Sequence, residues 1–115
     1  MIEYEATPGE PGPPPHVHRT FEEAWYILEG EVVFVANGSE EHAGPGTYVY
    51  VPRGTPHAFR VAGANRARWI GVFSPGRYVA LLEELGMLLR PGAAPDLEAV
   101  ARLFAKYDSA IVDRA

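Results

Sequence analysis

At 115 residues the chain has the size of one domain, long enough to bury a core and too short for two ordinary domains. A hydrophobic content of 47% excludes disorder, and 12 glycines with 11 prolines stay below the roughly 25% at which low complexity sets in. The net charge of −5, without a cluster of Lys or Arg, excludes an electrostatic footprint for nucleic acid or an anionic membrane, and the lack of cysteine excludes disulfides and thiolate ligands.

A small-molecule partner is therefore expected, and any metal must be held by nitrogen and oxygen. The first residues, Met1 to Glu5, are acidic and carry no apolar signal region, and no apolar run approaches membrane-spanning length. The expected location is cytoplasmic.

Ile2 to Ala6 is a short strand candidate, followed by a Gly/Pro-rich stretch ending in Pro13-Pro14-Pro15. Three consecutive prolines are stiff and extended, so they deliver His16 in a fixed direction. In His16-Val17-His18 the two imidazoles share a face, because side chains alternate across a strand. From Ala24 to Val35 apolar residues pause at Glu29-Gly30-Glu31, which predicts two strands and a tight turn on Gly30. Asn37-Gly38 marks another turn, and Ser39-Glu40-Glu41-His42 reads as a polar turn. Gly44-Pro45-Gly46 precedes the strand Thr47 to Val51, which Pro52 and Gly54 stop. His57 to Val61 and Arg66 to Phe73 complete the strand candidates.

The period then changes. Ser74-Pro75 is expected to cap a helix carrying Tyr78, Leu81, Leu82, Leu85, Leu88 and Leu89 at helical spacing. After the breaker Pro91-Gly92, Asp96 is expected to cap a second helix with Leu97, Val100, Ala101, Phe104 and Tyr107 on one face. These stripes are read as packing surfaces, on the β region or on a partner subunit, and carry no chemistry.

His16, His18, Glu23 and His57 come from separate segments of the β rhythm, where a fold can close them on a single ion. Their spacing is specific. His16-x-His18 is followed by four residues, Glu23, six residues and Gly30; Gly46, Pro52, Gly54 and His57 repeat the pattern G-x5-P-x-G-x2-H. In both respects the chain resembles a small single-domain cupin of the type related to quercetin dioxygenase. The resemblance covers residues 2 to 73. The family's first glycine has no counterpart, Gly9 being one residue too far from His16 and Gly12 too close, and its final Asn is Val61 here.

What the resemblance implies is an all-β fold, a double-stranded β-helix or jelly-roll-like barrel over 1–73. A C-terminal pair of α-helices over 74–115 would pack on the barrel or on a partner subunit. It also implies a metal held by His16, His18, Glu23 and His57. Glu22 also fits the looser spacing, but only Glu23 leaves six residues before Gly30. Three imidazoles and a carboxylate suit one divalent transition metal per chain, Fe, Mn, Ni, Cu, Co or Zn, and four ligands on a six-coordinate ion leave two positions open.

Strand parity puts Trp25 and Ile27 on the side of Glu23, and Phe59 and Val61 on the side of His57, as pocket wall or core. An acid/base helper could come from Tyr26, Tyr48, Tyr50, Arg60 or Arg68; spacing selects none. His42 is read as a surface residue without a role. The functional expectation is a metal-dependent enzyme acting on a small aromatic or enolizable substrate, dioxygenase-like by family resemblance, with isomerase and decarboxylase as further family chemistries. The alternative is a non-catalytic module that binds or senses a small molecule. A homodimer is expected, to cover sheet edge and apolar helix surface.

Overall fold

The computed structural model describes residues 1–8, 10, 12–90 and 92–115. The family-motif position at Gly9 and the helix breaker at Pro91 lie outside them. Among the described residues the strands are β1 (Ile2–Ala6), β2 (His16–His18), β3 (Glu22–Glu29), β4 (Glu31–Ala36), β5 (Ser39–Ala43), β6 (Tyr48–Val51), β7 (His57–Ala62), β8 (Ala67–Ser74) and β9 (Ser109–Ile111). Helices α1 (Val79–Leu88) and α2 (Leu97–Lys106) lie between β8 and β9.

The strands form two antiparallel sheets, ordered β1-β8-β3-β6 and β5-β4-β7-β2-β9. The expected all-β architecture with C-terminal helices holds, as a jelly-roll sandwich. The barrel is not closed, because β1 and β6 at one sheet's edges and β5 and β9 at the other's pair on one side only. In β3 the alternation places Glu23, Trp25 and Ile27 inward and Tyr26 outward. Their partners across the ladder are Phe73, Gly71 and Trp69 of β8. Trp25, Ile27, Val32, Phe34, Ala43, Ala67 and Trp69 build the core between the sheets.

Turn chemistry explains the hairpins. Gly30 has φ +77°, and a Cβ there would come within 2.5 Å of the Arg66 carbonyl oxygen, so β3 can enter β4 only through glycine. Asn37 and Gly38 both have positive φ, 53° and 76°, which suits a two-residue hairpin turn. That hairpin corrects the expected polar turn at Ser39–His42. The segment is strand β5, pairing Val33 with His42 and Val35 with Glu40. Its charged residues face solvent at a sheet edge, where they also discourage further strand pairing.

The extension after β8 departs from expectation in three places. Ser74 ends β8 and caps nothing; a 3-10 turn over Gly76–Tyr78 leads into α1 without a side-chain cap. Asp96 does cap α2, its Oδ1 accepting from the Ala99 backbone N–H at 3.2 Å. The buried face of α2 is Val100, Leu103 and Phe104, while Leu97 and Ala101 are exposed, so the stripe is rotated toward Leu103. Finally, the chain turns at Asp108, with φ 55°, into β9, which pairs with β2 across His16↔Ile111 and His18↔Ser109. A second core joins Phe21 and Phe73 of the β region to Tyr78, Leu81, Leu85, Val100, Leu103 and Phe104.

Candidate metal centre

Each histidine arrives on a differently constrained segment. The lead-in to β2 is pressed against β7, since a Cβ on Gly12 would lie 2.0 Å from the Phe59 carbonyl oxygen. The Pro15 carbonyl accepts from the Val112 N–H at 2.9 Å, fastening the same segment to the chain after β9. His16 and His18 then point inward from β2, His57 opens β7 directly opposite His16, and Glu23 projects from the facing sheet. All four are buried, at 3%, 5%, 1% and 3% exposure for His16, His18, His57 and Glu23. Charged or chargeable groups are rarely that buried without partners.

One ligand atom from each of His16, His18 and His57 lies within 4.8 Å of the other two. Ligands bonded to a shared ion at about 2.1 Å sit roughly 3–4 Å apart, so the rings need only small shifts to close on one. His42 is not in this group; it pairs with Glu31 on the surface.

The outer nitrogens decide which lone pairs face inward. His16 Nδ1 lies 2.8 Å from the Pro14 carbonyl and His57 Nδ1 lies 2.9 Å from the Thr55 carbonyl. A carbonyl only accepts, so both Nδ1 atoms carry the hydrogen. His18 Nδ1 lies 2.6 Å from Ser109 Oγ, whose own hydroxyl hydrogen goes to the Tyr107 carbonyl at 3.0 Å, so His18 Nδ1 also donates. Every Nε2 is then left with a lone pair. Second contacts of this kind orient metal-binding imidazoles and set their tautomer.

His57 Nε2 lies 3.0 Å from Glu23 Oε1, placing an imidazole lone pair against a carboxylate oxygen. Two acceptors at that distance require a cation or a proton between them. The donor set therefore fits a divalent ion on chemical grounds: three neutral nitrogens and one anionic oxygen.

Burial, foremost, and the neighbouring His57 charge lower the pKa of His16 to about 3, against a partial opposing effect of the Pro14 carbonyl. Burial and then the charges of His16 and His57 lower that of His18 to about 2. In the unfolded chain both would protonate near 6.5. The unfolded state thus binds more protons below that value, so the metal-free protein has this stability in full above pH 6.5 and loses it as pH falls toward about 3. Denaturant midpoints of metal-free protein should fall steadily from pH 6.5 to pH 4. A midpoint that stays level across that interval would contradict buried neutral imidazoles.

Around the cluster the walls are apolar. His18 stacks on Phe21 at 4.2 Å, and the His16 ring lies 4.9 Å from that of Phe104. Trp25, Phe59, Leu81, Leu85 and Phe104 leave a chamber of about 10 Å³ beside the histidines, space for one ion or water. Of the parity-predicted wall, Trp25 and Phe59 border this chamber, Val61 borders an adjoining groove, and Ile27 lies in the sandwich core. A wider cleft of about 450 Å³ between β4–β5 and β6 meets the cluster at His57.

None of the five helper candidates borders the small chamber, while Tyr48 and Tyr50 line the wider cleft. Tyr26, Tyr48 and Tyr50 are exposed on the outer face of the four-stranded sheet; Arg60 pairs with Glu40, and Arg68 with Glu3 and Glu29. Phe21, Ser109 and Leu81 were not anticipated as neighbours of the site. Ser109 left no sequence signal, because its role depends on a pairing to His18 over 91 residues.

A family model described as "Cupin domain" matches residues 2–73. The quercetin 2,3-dioxygenase of Bacillus subtilis is 31% identical over 71 residues, 62% of this chain and 21% of that protein. The chain thus spans about a fifth of the curated relative it matches. TT1209 of Thermus thermophilus is similar at 34% identity and a TM-score of 0.56, over 62% of this chain and 67% of that one. The polyketide cyclase RemF of Streptomyces resistomycificus is similar at 36% identity and a TM-score of 0.53, over 62% of this chain and 49% of that one.

Proposed function

The chain belongs to the cupin domain family, and we propose that it is a cytoplasmic metal-dependent enzyme in which His16, His18, His57 and Glu23 hold one divalent transition ion beside an apolar pocket. The observation that carries this reading is the trio of Nδ1–H bonds to Pro14, Ser109 and Thr55, which leaves three Nε2 lone pairs and a carboxylate oxygen facing inward. A divalent ion held there supplies a Lewis-acidic or redox-active centre.

The chain's own groups do the rest. The carbonyls of Pro14 and Thr55 and the Ser109 hydroxyl fix the three rings, while Trp25, Phe59, Leu81, Leu85 and Phe104 keep bulk water away. The 74–115 extension acts as the cover of the site.

The substrate is a small aromatic or enolizable molecule, and dioxygenation is the favoured reaction. Support comes from the relative named for quercetin dioxygenation; the relative named a polyketide cyclase is a reminder that this fold hosts several chemistries. Oxygen uptake is the test, with protein reconstituted separately with Fe, Mn, Ni, Cu, Co or Zn and offered flavonols and diketones. Turnover with at least one metal and none without metal is expected. Metal uptake with no turnover of any kind would instead favour the binding or sensing module.

The outer sheet face supports a dimeric assembly. Tyr26, Tyr48, Tyr50 and Val72 are about half exposed there or more, and Tyr26↔Tyr48 and Ala24↔Tyr50 are cross-strand neighbours. A second copy of the chain, packing this face on its own equivalent about a two-fold axis, is the proposed partner. Sedimentation equilibrium should give a dimer; a monomer at micromolar concentration would remove this part alone.

A further inference from the structure

Setting aside tyrosine and tryptophan, the buried polar or chargeable side chains among the described residues are His16, His18, Glu23, His57 and Ser109. All but the last form the candidate metal centre. Ser109 is 3% exposed, and a hydroxyl at that depth needs partners for its hydrogen and for its lone pairs. It has both. Its hydrogen goes to the Tyr107 carbonyl at 3.0 Å, and its oxygen faces His18 Nδ1 at 2.6 Å.

The source of this contact sets His18 apart from the other two rings. His16 and His57 turn Nδ1 toward the backbone carbonyls of Pro14 and Thr55, each two residues earlier in the chain, so the segments that carry those rings also orient them. His18 is served instead by a side chain 91 residues away, in β9, beyond the family-matched residues 2–73. The matched part of the chain carries this ring, and the extension carries the group that orients it.

The register of that contact is held on both sides. Ser109 lies opposite His18 and Ile111 opposite His16 in the β2–β9 ladder. Before it, the Arg19 N–H donates to the Asp108 carbonyl at 3.1 Å; after it, the Val112 N–H donates to the Pro15 carbonyl at 2.9 Å. Asp108 turns the chain into β9, and its Oδ2 accepts from the Thr20 hydroxyl at 3.1 Å and the Tyr78 hydroxyl at 3.0 Å. Thr20 lies just after β2 and Tyr78 just before α1, so this carboxylate ties the β region to the helical extension where Ser109 enters.

A hydroxyl can donate or accept, and contact with an imidazole alone fixes no tautomer. The Tyr107 carbonyl only accepts, and it takes the single hydrogen that Ser109 has. We propose that Ser109 is the positioning residue of His18, so that the segment beyond residue 73 completes the ion-binding trio as well as covering it. The inference rests on the metal reading of the cluster. Without the hydroxyl, His18 Nδ1–H loses its acceptor, and the hydrogen moves to Nε2, where the inward nitrogens of His16 and His57 can accept it. The ring then offers an ion a hydrogen in place of a lone pair. By reciprocity, an ion bound at His18 strengthens the hold of β9 on β2.

The test uses the full chain labelled with nitrogen-15 histidine, metal-free and titrated with zinc, as the unaltered protein, Ser109→Ala and Ser109→Thr. Ring nitrogen shifts distinguish a hydrogen-bearing nitrogen from one with a free lone pair, so the tautomer is read ring by ring. A melting temperature does not decide, because a merely structural hydroxyl would lower it too. Ser109→Ala should move His18, alone among the three buried rings, toward the Nε2–H form and lower zinc affinity roughly 10–100-fold. Ser109→Thr, which keeps the hydroxyl, should restore the tautomer and most of the affinity. Zinc should also slow hydrogen exchange at the Val112 N–H, and more in the unaltered protein than in Ser109→Ala.

His18 still in the Nδ1–H form in Ser109→Ala, an unchanged zinc affinity there, or a loss that Ser109→Thr does not restore would each overturn the proposal. Zinc uptake alike in all three proteins removes the positioning role and leaves the metal centre standing. No zinc uptake by the unaltered protein removes the metal centre, while the His18 tautomer still decides whether Ser109 orients the ring.

Discussion

His16→Ala and His57→Ala are each expected to lose stoichiometric metal, with affinity falling more than about 100-fold, while His42→Ala binds as the unaltered protein does. The magnitude follows from comparison, since loss of an outer-shell partner already costs roughly 10–100-fold. The contrast follows from placement. His16 and His57 are 3% and 1% exposed and oppose each other across β2 and β7, with ring centroids 4.2 Å apart. His42 sits on the outer edge strand paired with Glu31. Glu23→Gln should weaken binding and Glu22→Gln should not, because Glu23 alone reaches His57 Nε2 while Glu22 pairs with Arg53 at 3.4 Å on the surface. Elemental analysis of the dialysed variants is the measurement. Equal loss in all three histidine variants would overturn the assignment.

Phe104→Ala is expected to destabilise the protein by about 3–5 kcal/mol, the range for emptying a buried aromatic site. For a domain of this size that corresponds to a fall in melting temperature on the order of 15 °C. Phe104 is fully buried and joins Leu81, Leu85 and Val100 of the helices to Phe73 of β8 and to Phe21, just before β3. It also closes over His16 and His18, so the variant should release bound metal faster as water gains access. Leu97→Ala is the internal comparison. That side chain is 56% exposed and its loss should cost under about 0.5 kcal/mol. Thermal denaturation of both variants without metal checks this; a Phe104→Ala melting curve matching that of Leu97→Ala would show that α2 does not seal the site.

Much of this arrangement was legible in the sequence, for identifiable reasons. Gly30 and Asn37-Gly38 announced their turns because the backbone there has positive φ, which few residues accept. His16-x-His18 announced a shared face because alternation over three residues leaves no other choice. Parity put Trp25 on the side of Glu23 and Phe59 on that of His57, and both side chains border the small chamber.

What was not legible depended on distant pairing. His42 looked like part of a turn because charged residues line Ser39–His42, yet an edge strand tolerates them. The α2 face was read one position off, with Leu97 and Ala101 in place of Leu103, because three apolar residues at its start allow more than one stripe. Strand β9 has three residues and no alternation to detect, so neither it nor the Ser109 contact with His18 could be inferred locally.

The direction of the helper candidates was not legible for a related reason. Register could not be carried through the Pro52–Pro56 turn, and the exposed tyrosines proved to share the outer face.

Anomalous diffraction from crystals of the metal-loaded protein, collected at the absorption edge of the bound ion, tests the central claim most directly. A single peak about 2.0–2.2 Å from Nε2 of His16, His18 and His57 and from one oxygen of Glu23 is the predicted result. A peak at the His42–Glu31 pair, or none inside the sandwich, would contradict it.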